Sequence, residues 1–225
     1  MGGTREQRET RRSYDGIAAD YAANLGSELV GKPLDRALLD ALAELAGDGL
    51  VADVGAGPGH VAGYLARRGA SVVSTDLSPR MCALAAEREG LPAFASDMCA
   101  LPMRSGALTG IVCFYAVIHL DEQARRRAYQ EFARVLRDGG HALIAFHTSD
   151  AETPAGGSRS TAQMMGHEVE LNFRFIDPAA EADLLTAAGL AVTAQLERAP
   201  HPGSEHASRR SYLLARRGGQ DSTVE

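Results

Sequence analysis

The chain has 225 residues, 45% of them hydrophobic and spread along its length, enough for one full core but short for two domains. No apolar run approaches the roughly 18 residues that a membrane helix needs, and a formal net charge of −6 argues against a concentrated basic face of the kind that grips a nucleic-acid backbone. The three cysteines, Cys82, Cys99 and Cys113, show neither paired nor Cys/His metal spacing, so neither a disulfide framework nor a structural zinc is expected.

The charged stretch from Met1 to Arg12 has no apolar stripe and reads as a flexible arm, with nothing resembling a secretory signal; a cytoplasmic protein is expected. From Tyr14 to about Leu29 the apolar positions Tyr14, Ile17, Ala18, Tyr21 and Leu25 recur at helical spacing. A second helix opens at Pro33, with Leu34, Ala37, Leu38, Ala41, Leu42 and Leu45 expected on its buried face and Gly47 as its stop. Together, residues 13–47 form an N-terminal helical cap. After Gly49 short apolar runs alternate with helices, the pattern of βαβ units and a parallel sheet. Strands are expected over Leu50–Val54, Ser71–Thr75, Pro92–Ala95, Gly110–Tyr115 and His141–Phe146. Ser78 with Pro79, and Asp121, supply helix starts, and Gly139-Gly140 is read as the stop of the long helix that Asp121 opens.

Thr148 to Gly166 is rich in Ser, Thr, Gly and Pro and lacks periodicity, so residues 148–175 are read as a loop-based lid and acceptor region, with an exposed strand from His167 to Phe173. A last helix opens at Asp177-Pro178, and Leu190–Arg198 with Ser211–Ala215 close the sheet as an antiparallel pair. Residues 13–217 form one domain, and residues 218–225 a disordered tail.

The densest chemical signal is Val51-Ala52-Asp53-Val54-Gly55-Ala56-Gly57-Pro58-Gly59, an apolar strand that runs into alternating glycines and then a helix. Glycine takes the left-handed backbone of such a turn at no steric cost, and its missing side chain lets a ligand lie against the backbone and a helix start. Asp76 follows the second strand, where a carboxylate can accept from two ribose hydroxyls, and Asp97 follows the third, placed to meet an adenine amine.

These residues resemble the class I S-adenosylmethionine-dependent methyltransferases, and the resemblance extends over roughly Tyr14 to Arg217. It includes Arg134-Val135-Leu136-Arg137-Asp138-Gly139-Gly140, which is similar to that family's usual run into its fifth strand, with Asp138 where proline is common. The resemblance implies an α/β, Rossmann-like, doubly wound fold: a seven-stranded, mostly parallel sheet with an antiparallel C-terminal strand under an N-terminal helical cap. It implies S-adenosylmethionine as cofactor and S-adenosylhomocysteine as product. It also implies that Gly55, Ala56 and Gly57 contact the methionine part, Asp76 and Leu77 the ribose and adenine edge, Asp97 and Met98 the adenine, and Phe114 and Tyr115 the methionine end. Tyr14 and Tyr21, seven apart on one helix face, resemble tyrosines that close over the cofactor in the small-molecule, metabolite-tailoring branch; ordinary packing of an amphipathic helix explains them as well.

The acceptor expected from that branch is a small-molecule nucleophile, oxygen or nitrogen, and the chain a monomer or homodimer. An acceptor that must lose a proton is served by a base near neutral pKa; His119 follows the fourth strand, His147 ends the fifth, and His167 lies just past the lid stretch. No metal is expected, because Phe146-His147-Thr148 at the end of the fifth predicted strand lacks the carboxylates of catechol-type enzymes. Two other readings stand beside this one: an NAD-dependent oxidoreductase, since Gly57 to Ala62 fits G-x-G-x-x-A, and a cofactor-binding protein without turnover.

Overall fold

A computed structural model describes residues 4–203 and 205–218. In chain order the elements are helix α1 (Arg5–Leu25), α2 (Pro33–Ala46), strand β1 (Leu50–Val54), α3 (His60–Ala66), β2 (Ser71–Asp76), α4 (Pro79–Glu89), β3 (Ala93–Ala95), β4 (Leu108–Phe114), α5 (Glu122–Val135), β5 (Leu136–Asp150), β6 (Ser158–Met164), β7 (His167–Arg174), α6 (Pro178–Ala187), β8 (Leu190–Arg198) and β9 (Ser208–Arg217).

Seven strands form one sheet in the order β3-β2-β1-β4-β5-β9-β8, with the first five parallel and β9 antiparallel to both of its neighbours. The period-2 alternation of strand side chains divides the core between two faces. Ile111 and Cys113 of β4, with Ala142, Ile144 and Phe146 of β5, point to the face covered by Tyr129, Phe132 and Val135 of α5 and by Leu184 and Leu185 of α6. Val112 and Leu143 point the other way, to Leu39, Leu42 and Ala46 of α2 and to Val61 and Leu65 of α3. Near-continuous apolar runs such as Ile111-Val112-Cys113 are what a strand buried on both faces requires.

Four expectations are corrected. Residues 5–12 are the first turns of α1 rather than a flexible arm: Thr4 accepts from the Gln7 amide while the Gln7 side chain accepts from Thr4, a capping box that nucleates the helix well ahead of Tyr14. The buried face of α2 is Asp35, Leu39, Leu42 and Ala46, with Leu34 and Leu45 on the solvent side, because Asp35 is drawn inward to Arg198 and Tyr212. The long helix ends at Val135, and Gly139-Gly140 lies inside β5 rather than stopping the helix.

The fourth concerns the region after β5. In place of a structureless lid, β6 and β7 pair antiparallel as a separate two-stranded sheet joined at Met165-Gly166. The polar β6 sequence, Ser158-Arg159-Ser160-Thr161, carries no hydrophobic alternation because it is an exposed outer strand. β7 meets α1 through Ile17, Val169 and Leu171, with Tyr14, Tyr21 and Phe173 packed against them. The tail expected over residues 218–225 lies, apart from Gly218, outside the described residues. No helix among the described residues is long and apolar enough to cross a membrane.

Candidate active site

At the carboxyl ends of β1, β2 and β4 a cleft opens beneath α1, enclosing about 790 Å³ of space with its mouth included. Its floor is the turn after β1. Gly55 (φ 73°) and Gly57 (φ 53°) both occupy left-handed conformations that penalise any side chain. A Cβ on Gly55 would lie 2.2 Å from the Cβ of Ala116, whereas one on Gly57 would meet nothing closer than Tyr21 at 3.8 Å. Gly55 is therefore glycine so that the β4 exit can pack on it, and Gly57 leaves bare backbone facing open space. The amides of Gly55 and Ala56 both donate to Thr75 O, at 2.8 and 3.1 Å, which locks the turn to β2.

Asp76 and Asp97 stand at neighbouring strand tips in this same cleft. Asp76 accepts from Gly57 N and Ser78 N, both at 2.8 Å, so it joins the glycine turn to the start of α4. Burial raises its pKa, and those amide bonds oppose the rise. Asp97 accepts from Cys99 N at 2.9 Å and from the Gln7 side chain at 2.8 Å. Asp53 was not singled out by sequence reasoning; fully buried beneath the turn, it accepts from Ala62 N at 3.0 Å, and burial pushes its carboxyl up to about 7.

The roof is α1. Gln7, Thr10, Tyr14 and Tyr21 line the cleft, and Ser78, which caps α4, also donates to Asp15 at 2.5 Å, pinning α1 to the sheet side. The Tyr14 and Tyr21 rings meet edge to face with centroids 5.7 Å apart. Tyr14 Oη lies 2.8 Å from His119 Nε2, and His119 Nδ1 lies 2.9 Å from the carbonyl of Asn172 on β7. A carbonyl can only accept, so Nδ1 carries the proton and Nε2 accepts from the tyrosine. Burial, with Arg174 nearby, lowers the His119 pKa to about 4, leaving a neutral imidazole at pH 7.

Of the three histidines read as bases, only His119 reaches the cleft. His147 stands behind its wall, stacked on Tyr115 at 4.9 Å and bonded through Nδ1 to Ser208 Oγ at 2.8 Å; burial, then Arg210, lowers its pKa to about 3. His167 is exposed at the outer end of the β6–β7 sheet and pairs with Asp20 at 2.7 Å. The end of the fifth strand and the edge of the lid stretch suggested convergence, but β5 runs past the cleft and β7, which His167 opens, belongs to another sheet. Tyr14, Tyr21, Gly55, Gly57, Asp76, Leu77, Asp97, Met98, Phe114 and Tyr115 all line the cleft, and Ala56 is buried just outside its lining. Gln7 and Thr10 were missed because that stretch was read as an arm; the T-x-x-Q capping box was the signal that could have placed them. Among the described residues no group of three or more His, Cys, Asp or Glu could hold a metal ion.

Residues 51–140, from β1 through the start of β5, match the family model described as "Methyltransferase domain". Solved structures share the whole fold. A 1,6-didemethyltoxoflavin-N1-methyltransferase from Burkholderia thailandensis, with 1,6-didemethyltoxoflavin and S-adenosylhomocysteine bound, superposes with a TM-score of 0.74 at 22% identity over 97% of this chain and 92% of its own. A geranyl diphosphate C-methyltransferase from Streptomyces coelicolor A3(2), in complex with Mg2+, geranyl diphosphate and S-adenosylhomocysteine, gives 0.69 at 14% identity over 96% and 100%. The [4+2]-cyclase SpnF gives 0.70 at 18% identity over 94% and 96%. No curated protein matches the sequence. Over residues 51–140 the chain carries a methyltransferase domain, and the fold around it is the one shared by S-adenosylmethionine-dependent methyltransferases. It is an enzyme of methyl transfer with S-adenosylmethionine as its cofactor, and the dinucleotide reading of Gly57 to Ala62 gives way to this assignment.

Proposed function

We propose that this enzyme methylates an oxygen or nitrogen nucleophile of a small-molecule acceptor, and that the residues of the cleft divide into a donor-holding set and a proton-accepting pair. One observation carries the reading: the bare Gly57 backbone, Asp76, Asp97 and the Tyr14–His119 pair all face one cleft. S-adenosylmethionine supplies an already activated methyl group on a sulfonium, so the protein's work is mainly alignment and the exclusion of water.

Gly55 and Gly57 provide a floor without side chains. Asp76 takes the ribose hydroxyls and Asp97 the adenine amine, with Leu77 and Met98 against the base. Phe114 and Tyr115 flank the methionine end, and Tyr14 and Tyr21 form the roof that keeps water out. As the acceptor is methylated, its O–H or N–H proton passes to Tyr14 Oη while the tyrosine's own proton moves to His119 Nε2, leaving an imidazolium held by the Asn172 carbonyl. His119 Nε2 is unprotonated at neutral pH and in place to take that proton, while its burial makes it a weaker base than a solvated imidazole.

The small-molecule acceptor is supported by the enclosure of the cleft beneath α1, and by two structural relatives whose own named acceptors are small molecules. Calorimetric titration with S-adenosylhomocysteine tests the donor half: no heat ends the reading. Incubation of a metabolite extract with enzyme and S-adenosylmethionine tests the acceptor half, through a mass gain of one methyl that appears only with active enzyme. Once an acceptor is found, His119→Ala is expected to lower kcat by about 10²-fold with S-adenosylhomocysteine affinity within threefold of wild type. An unchanged kcat would remove His119 from the chemistry.

A further inference from the structure

Tyr115 is one of two non-glycine residues among those described with a left-handed backbone, at φ 56°. It stands at the exit of β4, where it lines the cleft and the next residue, Ala116, presses on Gly55. A bulky residue in this conformation costs free energy and persists only where its surroundings over-determine it. Here they do. The Tyr115 amide donates to Ala145 O at 2.8 Å, and the ring is stacked on His147 with the Lys32 ammonium 5.3 Å from its centroid.

The hydroxyl is held more elaborately. Tyr115 Oη lies 2.9 Å from Tyr212 Oη, and Tyr212 donates to Asp35 Oδ1 at 2.8 Å. Since the one Tyr212 proton goes to a carboxylate, Tyr115 is the donor in the tyrosine pair. Arg198 brings Nε and Nη2 to the Tyr212 oxygen at 3.1 and 2.7 Å, and its Nη2 also donates to Asp35 at 2.7 Å. Asp35, Arg198 and Tyr212 are buried, come from α2, β8 and β9, and do not line the cleft.

We propose that Asp35 and Tyr212 are positioning residues for the methyl donor: by fixing the Tyr115 hydroxyl they hold the β4 exit in its left-handed turn, which keeps Ala116 on Gly55 and the glycine floor open. The proposal rests on reading the cleft as the donor site. Breaking the relay lets the Tyr115 backbone relax toward ordinary φ values and shifts the wall that faces the methionine end, so the effect falls on donor affinity although no relay residue touches the donor.

The test is a double-mutant cycle read by calorimetric S-adenosylhomocysteine binding to the purified full chain, with thermal melts of the unliganded proteins alongside. Tyr115→Phe and Tyr212→Phe are each expected to raise Kd about tenfold, and the double variant to be no weaker than either single one, since both cut the same link. Tyr129→Phe, which removes a buried hydroxyl bonded to Glu181 on the α5–α6 side, is expected to lower the melting temperature and leave Kd unchanged. Losses that multiply to about a hundredfold in the double variant, or a folded Tyr212→Phe with wild-type affinity, overturn the proposal. Should Tyr212→Phe fail to fold, Asp35→Asn carries the test, with the same tenfold loss expected and unchanged affinity fatal. Absence of binding by the wild-type protein would instead refute the donor-site reading itself.

Discussion

The two walls of the cleft are built on different principles. The strand-tip wall, from Gly55 to Asp97, is made of backbone turns and short side chains whose partners lie close in sequence or on the next strand: Asp76 with Gly57 and Ser78, Asp97 with Cys99, Gly55 with Thr75. The opposite wall is made of side chains drawn from remote segments. Tyr14 meets His119, His119 meets Asn172, and Tyr115 reaches Asp35 only through Tyr212. The first wall depends on local conformation and should fail locally. The second depends on the docking of α1, α2 and the β6–β7 sheet, and its stability should be felt across the domain.

Gly55→Val breaks the first wall most severely. The new Cβ would sit 2.2 Å from that of Ala116 at a φ of 73°, so S-adenosylhomocysteine affinity should fall by more than about a hundredfold, on the order of 3 kcal/mol, while circular dichroism still reports a folded α/β protein. Retained binding would mean that the turn is not the floor.

The second wall should show itself through pH. The pKa of His119 is lowered to about 4 and that of His147 to about 3, from an ordinary 6.5, chiefly by burial. Below pH 6.5 the unfolded chain takes up protons that these folded imidazoles refuse. Their contribution to stability is therefore complete above that pH and is lost as pH falls toward 4, by a few kcal/mol in all. Urea unfolding at pH 7.0 and 4.5 measures the loss, and His147→Gln should flatten the dependence. An identical slope in that variant would show that His147 does not contribute.

Asp76→Ala should weaken S-adenosylhomocysteine binding by about 1–3 kcal/mol, through lost charge-assisted bonds to the ribose, and should also lower the melting temperature, since Gly57 N and Ser78 N lose their acceptor. Gln7→Ala crosses between the walls, since it removes the amide that Asp97 accepts from α1 at 2.8 Å. Its expected effect is the smallest, about 0.5–1.5 kcal/mol on the same titration, and a loss as large as that of Asp76→Ala would mean that α1 holds the adenine end directly.

The contrast also explains what could be read before any coordinates. The glycine turn, Asp76 and Asp97 were legible because each sits at the end of a strand whose periodicity is strong, and because the backbone geometry at each point restricts the residue type. His147 and His167 have equally suggestive neighbours in sequence, yet one is turned behind Tyr115 and the other lies on a separate sheet. The helical start at Thr4 was hidden because its evidence is a reciprocal pair of hydrogen bonds rather than an apolar stripe. The β6 strand was hidden because a solvated outer strand needs no hydrophobic alternation.

Local sequence alone determined the order of the parallel βαβ units, the turn that must be glycine and the two acids that follow it, because strand period, helix caps and left-handed turns are set by residues within a few positions of one another. Tertiary structure decided which histidine faces the cleft, which face of α2 is buried and how Tyr115 is held. Each of those outcomes is a free-energy balance between a buried polar group and a partner more than 50 positions away in the chain, as with Asp35 and Tyr212, and the partner exists only once the sheet and its covering helices have come together.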